Sequence, residues 1–439
     1  MDRDLYADLL KWKASPRRKP LLLGGARQTG KTYLLRQFGR NEYESIVYCN
    51  FEKDPKLAGF FGRDLDPGRI LSELAVYMGR EIRPGPDLVV FDEVQMSNQA
   101  LSSLKYFQEQ ANVYHVAAAG SLLGIKMSGP GSFPVGKVNF LDLHPMTFFE
   151  FLNAMGFDRY RRLLEEQISF EPLPEAIHED LIDLLRKYYV VGGMPEAVKH
   201  FAERIEAHEV REIHREIIDS YVLDFAKHAP SSDIPKLTLI WESIPKHLAR
   251  ENKKFMFSAV RKGARAREYE NALRWLRDAG LVQLCHGVET SKVPLKHYAD
   301  RSCFKVYVLD VGLLGAMVKS PAASMAEGQR LFNEYEGALV ENYVAQQLMV
   351  GIQPELYYWR SKGGKAEVDF LCEFDREVVP LEVKAGFSTK SRSLQSYNQQ
   401  FGPRCLFRSN LLNAKRYGKI YSLPLYAVSQ IRAAVAGLE

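Results

Sequence analysis

The chain has 439 residues and a formal net charge of +5, with 46% hydrophobic and 26% charged residues. This length predicts two to four domains, and the composition is that of a soluble globular protein rather than a disordered or fibrous one. The five cysteines are widely separated and form no C-x-x-C pair, which argues against a disulfide framework and a zinc site. No apolar run approaches the roughly 20 residues that span a bilayer, and the N-terminus lacks an apolar signal core, so we expect a cytoplasmic chain with no membrane partner.

A glycine-rich loop follows the first predicted strand. Residues 2–13 are predicted to form an amphipathic helix, and the apolar run 20–23 to form a short strand. Residues 24–32 then read GGARQTGKT, and the segment YLLRQF continues as a predicted helix. A loop of the form G-x-x-x-x-G-K-[ST] between a strand and a helix cradles phosphate, because its backbone N–H groups and the helix N-terminus point at the anion.

This loop supplies the predicted nucleotide-binding residues. Lys31 is expected to reach the β- and γ-phosphates, and the Thr32 hydroxyl to ligate Mg²⁺. A glycine turn carrying a surface lysine is the alternative interpretation. The predicted nucleotide-binding set is Gly25, Ala26, Arg27, Gln28, Thr29, Gly30, Lys31, Thr32 and Tyr33.

A second apolar run, 88–91, ends in Asp92 and Glu93. A run without alternation is typical of a strand buried on both faces, and ligands of open α/β sheets bind at the carboxyl ends of such strands. We predict that Asp92 holds Mg²⁺ through water and that Glu93 polarises the attacking water. Together with the glycine-rich loop, this pair of carboxylates predicts a site for ATP and Mg²⁺. Without the loop, the same pair would be interpreted as a solvated turn.

Further strands are predicted at 45–51, 113–119 and 138–143, with helices between the earlier ones, which indicates a parallel sheet covered on both faces. Ser121 follows the strand at 113–119. Its hydroxyl could sense the γ-phosphate or hold the water, or it could cap a helix from Leu122 onwards, and both interpretations stay open.

The chain changes character after the sheet. Residues 148–228 are predicted to be helical, as a lid beside the phosphate site. Residues 246–267 contain one acidic residue, Glu251, and eight basic residues: Lys246, Arg250, Lys253, Lys254, Arg261, Lys262, Arg265 and Arg267. The order of helix, basic turn, helix and short strand resembles a winged helix-turn-helix. In one interpretation the basic segment contacts DNA phosphates. In the others it is a solvated face of a packing domain, or part of a protein-binding module, and these interpretations stay open.

The last segment carries a pattern of carboxylates. A helix at 331–350 bears Glu341, and strands are predicted at 356–359, 366–372 and 378–384. A hairpin symmetric about Asp375 and Arg376 would set Asp369 opposite Glu382, and Glu367 opposite Lys384. Two facing carboxylates repel unless a cation lies between them, which would suit a Mg²⁺ or Mn²⁺ ion.

Glu341, Asp369 and Glu382-Val383-Lys384 follow the pattern of PD-(D/E)XK metal-dependent nucleases, with Asp369 and Glu382 as metal ligands and Lys384 orienting a water. A charged sheet face that binds no metal is the alternative.

The ordered motifs resemble those of prokaryotic AAA-superfamily ATPases that carry a C-terminal domain of unknown function. The resemblance covers essentially the whole chain and rests on these segments: GARQTGKT, VVFDE, AAAGS, LHPMTFFEF, VGGMPEAV, VYVLDVGLL, GALVEN, EVDF and PLEVK. It implies an α/β fold with a P-loop ASCE/AAA-type parallel sheet, ATP binding and hydrolysis. The domains implied are a P-loop ATPase domain (1–150), a helical lid (151–228), a winged-helix-like domain (229–323) and a restriction-endonuclease-like, PD-(D/E)XK domain (324–439).

One position departs from this resemblance. Gly136-Lys137 stands where similar chains have Gly-Arg, and a lysine lacks the fork that spans two phosphate oxygens. Two functions follow as hypotheses: an ATPase that controls a metal-dependent nuclease, or a nucleotide-controlled switch or scaffold whose tail only binds DNA or protein. DNA, a protein and a second copy of the chain are the candidate partners besides ATP, and no arginine finger can be named.

Overall fold

A five-stranded parallel sheet carries the glycine-rich loop. The computed structural model describes residues 1–121, 136–166, 170–203, 207–250, 253–318 and 336–438. The sheet contains β1 (Leu21–Gly24), β2 (Ser45–Asn50), β3 (Asp87–Asp92), β4 (His115–Ala119) and β5 (Asn139–Asp142), in the order β2-β3-β4-β1-β5. All four strand pairs are parallel. Because β4 lies between β1 and β3, the segments that follow these three strands leave the sheet side by side.

Helices cover both faces of this sheet, as the apolar runs predict. The helices are α1 (Leu5–Ala14), α2 (Lys31–Glu42), α3 (Pro67–Met78) and α4 (Asn98–Gln110). Side chains of β3 alternate between two cores: Leu88 and Val90 pack with α1 and α2, and Val89 and Phe91 pack with α3 and α4. Every residue of β3 is buried. The run without alternation therefore reflects a strand enclosed on both sides.

A series of helices follows the sheet. Their bounds are Phe148–Ala154, Asp158–Glu166, Glu175–Val191, Pro195–Ala202, Ala207–His228, Ile234–Leu248, Phe257–Val260 and Ala266–Asp278. Gly192, with φ of +67°, ends the helix Glu175–Val191, and Pro195 begins the next, as the sequence predicts. None of the helices in the described part of the chain has the length and hydropathy needed to cross a membrane.

An eight-stranded mixed sheet forms the C-terminal part. Its strands are β6 (Val282–Val288), β7 (Ala299–Val308), β8 (Leu356–Arg360), β9 (Glu367–Phe374), β10 (Glu377–Val383), β11 (Leu406–Asn410), β12 (Lys415–Tyr417) and β13 (Ile420–Pro424). They lie in the order β12-β13-β11-β10-β9-β8-β6-β7, with β6 parallel to β8. One sheet thus contains strands from both sides of residue 323. Helices Val311–Met317, Glu336–Met349, Arg392–Phe401 and Ile431–Ala436 accompany it.

Buried Asp310 lies in a hydrogen-bonded group that joins three of the sequence motifs, VYVLDVGLL, VGGMPEAV and LHPMTFFEF, to the helix Glu336–Met349. Its Oδ2 accepts hydrogen bonds from the Gly193 N–H (2.6 Å) and from Gln346 Nε2 (3.1 Å), and Oδ1 accepts from the Leu313 N–H (3.0 Å). The Met146 N–H in turn donates to the Gly193 carbonyl (2.7 Å). A Cβ on Gly193 would lie 2.1 Å from the Met146 oxygen, so only glycine permits this approach.

The chain divides into two compact units. One comprises Asp2–His144 with Asp278–Gly280, and the other comprises Met1, Pro145–Arg277 and Leu281–Glu439. The three regions predicted after residue 150 fall within the second unit, apart from residues 278–280.

Candidate functional site

The glycine-rich loop is held in a conformation that its glycines permit. Gly25 has φ of +147°, and a Cβ there would lie 2.4 Å from the Leu143 carbonyl oxygen. Gly30, with φ of +93°, is the left-handed residue that precedes α2. Thr29 Oγ1 donates to the Ala26 carbonyl at 2.9 Å, which is a hydrogen bond within the loop. These contacts fix the loop between β1 and the start of α2, which is where the motif predicts a phosphate cradle.

Lys31 is the first residue of α2 and is buried. Its Nζ donates to the carbonyls of Gly25 (3.1 Å) and Ala26 (2.7 Å). Burial lowers the pKa of Lys31 to about 8, against the opposing effect of the Glu93 and Asp92 carboxylates. The ammonium group therefore lies against the loop, on the side of the two carboxylates.

Asp92, the last residue of β3, is buried and accepts several hydrogen bonds. Its Oδ2 accepts from Thr32 Oγ1 (2.8 Å), from the Tyr48 hydroxyl (2.5 Å) and from Asn50 Nδ2 (3.3 Å). Its Oδ1 accepts from the Glu93 N–H (3.1 Å). Thr32 and Asp92, which the sequence assigns to Mg²⁺, are thus in direct contact. A hydroxyl and a carboxylate form the hard oxygen pair that suits this cation.

Glu93 and Ser121 follow neighbouring strands. Glu93 has a left-handed backbone with φ of +52°, and its Oε2 accepts from Gln95 Nε2 at 2.6 Å. Ser121 lies two residues beyond β4 and is half-buried. In one of the two interpretations Ser121 caps a helix from Leu122, and that segment lies outside the described residues. Tyr33 is 56% exposed at the start of α2, so its ring is open to solvent.

The C-terminal unit brings together the carboxylates that the sequence singled out. β9 and β10 pair Leu381 with Phe370 and Glu377 with Phe374, which confirms the predicted hairpin register. The ladder ends at the Phe370–Leu381 pair, so the predicted pairs Asp369–Glu382 and Glu367–Lys384 lie beyond it. The Val383 N–H donates to Asp369 Oδ2 at 2.8 Å.

Lysines accompany these carboxylates, and we call the group the carboxylate–lysine cluster: Lys253, Lys305, Glu341, Glu367, Asp369, Glu382 and Lys384. Lys305 Nζ lies 2.6 Å from Glu367 Oε1 and 3.7 Å from Glu341 Oε2. Lys253 pairs with Glu341 Oε1, and Lys384 Nζ lies 2.9 Å from Glu382 Oε1.

The carboxylates of the cluster differ in the direction of their pKa shifts. Burial alone would raise the pKa of Glu341, but the Lys253 and Lys305 ammonium groups lower it to about 2. Burial, followed by the Glu341 carboxylate, raises the pKa of Asp369 to about 7. Among the described residues, no group of three or more His, Cys, Asp or Glu side chains is placed to hold a metal ion. The described part of the chain thus shows no site for the second Mg²⁺ or Mn²⁺ ion that the sequence predicted at Asp369 and Glu382.

The N-terminal region matches a known family. Residues 17–152 match the model of a family described as an AAA domain. This region is an AAA-type P-loop ATPase domain. Residues 182–324 match a domain of unknown function (DUF8612), and residues 336–426 match another (DUF4143). A comparison with curated protein sequences finds no match.

Several solved structures are similar to the chain at low identity. The Walker-type ATPase PABY2304 of Pyrococcus abyssi is 15% identical, with a TM-score of 0.45, and the match covers 72% of this chain and 95% of that one. The Aeropyrum pernix ORC1 protein in complex with DNA is 14% identical, with a TM-score of 0.31 and coverage of 74% and 94%. The Thermotoga maritima RuvB Holliday junction branch migration motor is 14% identical, with a TM-score of 0.30 and coverage of 64% and 89%. The family match, rather than these likenesses, defines the ATPase domain.

Three residues around the site of the AAA-type domain were not found from the sequence. Tyr48 and Asn50 reach Asp92 from the end of β2, where Asn50 and Asp92 are partners in the ladder. Arg3 Nη1 donates to the Thr29 carbonyl at 2.9 Å from a segment before α1. Polar residues at the end of a strand next to β3 were a usable signal for the first two, whereas nothing in the sequence indicated the contact of Arg3.

The unusual lysine of the Gly136-Lys137 pair has a partner within the ATPase domain. Lys137 Nζ lies 2.9 Å from Glu109 Oε1 on α4. Both side chains are partly exposed, so the pair is a surface contact of modest strength.

Proposed function

We propose that the chain hydrolyses ATP with Mg²⁺ at the glycine-rich loop of its AAA-type domain. One observation carries the proposal: the Thr32 hydroxyl, at the start of α2, lies 2.8 Å from the Asp92 carboxylate at the end of β3. This contact joins the helix that follows β1 to the end of β3, although β4 lies between these two strands. The loop, the start of the helix and the carboxylate therefore lie close together, which supports a site for nucleotide and Mg²⁺.

Each residue of this site has a proposed role. Backbone N–H groups of the loop 25–33 would bind the phosphates, and Lys31 would leave the Gly25 and Ala26 carbonyls for the β- and γ-phosphates. Thr32 and Asp92 would hold Mg²⁺, which would offset charge on the phosphate oxygens. Glu93 would polarise the attacking water, and Ser121 would contact the γ-phosphate or that water.

Two substitutions test the proposal. Lys31→Ala should lose ATP binding, because the charge that meets the phosphates is gone. Glu93→Gln should bind ATP as the wild type does but not hydrolyse it, because only the water-polarising carboxylate is changed. Fluorescence titration with a labelled ATP analogue measures binding, and steady-state phosphate release measures hydrolysis, so the two assays distinguish the two effects. Unchanged affinity in Lys31→Ala would refute the site, and normal turnover in Glu93→Gln would refute the role of Glu93.

For the C-terminal unit we propose a binding module whose interaction ATP turnover controls, rather than a nuclease. The carboxylate–lysine cluster favours this hypothesis, because lysines already pair with the carboxylates that a nuclease would use for metal. The helices Ile234–Leu248 and Ala266–Asp278 with the β6–β7 hairpin support a winged-helix-like region, which we propose contacts DNA phosphates. Contact with a protein partner or with a second copy of the chain is the alternative outcome.

A further inference from the structure

We propose that Lys305 is the built-in counter-charge of the carboxylate–lysine cluster and takes the place of a divalent metal, so that the C-terminal unit does not cleave nucleic acid by metal catalysis. This inference rests on the part of the proposed function that concerns the C-terminal unit and is independent of ATP hydrolysis.

Lys305 lies at the centre of the cluster. The side chain is 1% exposed on β7, and its ammonium group bridges Glu367 of β9 (2.6 Å) and Glu341 of the helix Glu336–Met349 (3.7 Å). It also lies 4.8 Å from the centre of the Tyr358 ring, on a face that attracts cations. A buried lysine is retained only where opposite charge surrounds it, so these contacts fix the ammonium group in place.

Glu341 has donors on both carboxylate oxygens. Oε1 is paired with Lys253, and Oε2 accepts from the Tyr307 hydroxyl at 3.1 Å and faces Lys305. A divalent cation that used Glu341 would have to displace a buried ammonium group or share the carboxylate with it. Two cations a few ångströms apart in a poorly hydrated interior repel strongly, so the arrangement disfavours metal at this carboxylate.

The Asp369–Glu382 pair offers little to a metal on its own. Asp369 Oδ2 accepts from the Val383 N–H, and Glu382 Oε1 is paired with Lys384. In the described structure, Glu382 Oε2 is buried without a hydrogen-bond partner. Mg²⁺ binds proteins through one or two carboxylates in strict octahedral geometry, and here each carboxylate of the pair already has a donor, with the Lys384 ammonium group on Glu382 and the Val383 N–H on Asp369.

The difference between ammonium and metal is chemical as well as electrostatic. An ammonium group neutralises carboxylates, but it does not lower the pKa of a bound water as a metal ion does. The cluster can therefore stabilise the fold and present charge to a partner while lacking the activated water that cleavage of a phosphodiester requires.

Mn²⁺ binding tests the inference directly. The full chain carrying Asp92→Asn, which weakens any metal site in the ATPase domain, would be titrated with Mn²⁺ while the free ion is followed by electron paramagnetic resonance. We expect no Mn²⁺ binding up to millimolar concentration. Adding Lys305→Met should create Mn²⁺ binding, because Glu367 and Glu341 then lose the ammonium group that they share.

Two controls keep this test sharp. Lys305→Arg keeps the charge and should bind no Mn²⁺, and Lys362→Met removes an exposed lysine between β8 and β9 and should also bind none. Binding by the Asp92→Asn chain that Asp369→Asn abolishes would overturn the inference, even if Lys305→Met does not fold. Mn²⁺-dependent cleavage of single- or double-stranded DNA or of RNA, lost in Asp369→Asn, would also overturn it. Neither result would bear on ATP hydrolysis, which is measured separately as phosphate release.

Discussion

Asp92 is oriented by its neighbours before any ligand arrives. Three donors, from Thr32, Tyr48 and Asn50, converge on its Oδ2. A carboxylate held in this way loses little further freedom when it meets a cation, so the donors act as positioning groups. Tyr48 is itself held by the Arg36 guanidinium, 4.2 Å from the centre of its ring.

Tyr48→Phe tests this positioning role. We expect kcat for ATP to fall about ten- to a hundredfold, the effect of losing about 1.5–3 kcal/mol from one hydrogen bond to a charged group, with little change in KM for ATP. The Mg²⁺ concentration that gives half-maximal activity should rise, which a merely structural defect would not cause. Tyr77→Phe is the matched control, because that hydroxyl donates to Asp54 at the surface (2.8 Å). A wild-type Mg²⁺ dependence in Tyr48→Phe would refute the role.

Lys31 should make ATP binding dependent on pH. Burial lowers its pKa to about 8 in the free chain, whereas phosphates would favour the charged ammonium group. Binding therefore takes up a proton once Lys31 is neutral, so affinity should be constant below about pH 8 and fall about tenfold per pH unit above it. Titration calorimetry over this range measures it. Lys31→Arg should remove the dependence, since arginine stays charged, and a constant wild-type affinity up to about pH 9.5 would contradict the prediction.

At the scale of elements, the β9–β10 hairpin was predictable and its surroundings were not. Alternating side chains and a turn at Asp375-Arg376 set the register, and Asp375 has the left-handed φ of +46° that such a turn uses. Lys305 lies on β7, which reaches the hairpin through β6 and β8. Periodicity says which side chains share a face of a strand, but it does not say which distant strand lies beside it.

In the basic segment 246–267, one of the lysines predicted to contact DNA has a different partner. Lys253 belongs to the carboxylate–lysine cluster and is paired with Glu341, so it is not available for DNA. The exposed basic side chains of the segment are Lys246, Arg250, Arg261, Lys262, Arg265 and Arg267. Phosphate contacts by these residues stay a proposal.

Salt dependence distinguishes DNA contact from a solvated face. If the segment binds DNA phosphates, the logarithm of affinity should fall linearly with that of salt, by about 0.9 for each phosphate neutralised. Replacing Lys246, Arg261, Lys262 and Arg265 by alanine should flatten this slope and weaken binding to all sequences alike. A control with the same loss of charge replaces Lys53, Lys56, Arg63 and Lys105, all exposed in the ATPase domain. A slope that the first set leaves unchanged would favour a protein partner.

At the scale of the whole molecule, local patterns predicted the first unit far better than the second. The parallel sheet of the ATPase domain consists of strands and helices that alternate along the chain, so apolar runs and loop chemistry were sufficient. The second unit is joined by contacts distant in sequence, such as Gly193 with Asp310 and Phe148 with Gln347. These two contacts join residues that are 117 and 199 positions apart, so the motifs that they connect looked independent in the sequence.

The five buried cysteines give the chain a built-in reporter of unfolding. Cys49 lies in the first unit, and Cys285, Cys303, Cys372 and Cys405 lie in the second. Burial raises the pKa of Cys49 and Cys372 to about 12 and that of Cys405 to about 11, and only thiolates react quickly with disulfide reagents. A chromogenic thiol reagent should therefore detect no fast-reacting group in the native chain, one when the first unit opens and four when the second opens. Added ATP should delay the single thiol selectively, because a ligand stabilises the unit that binds it.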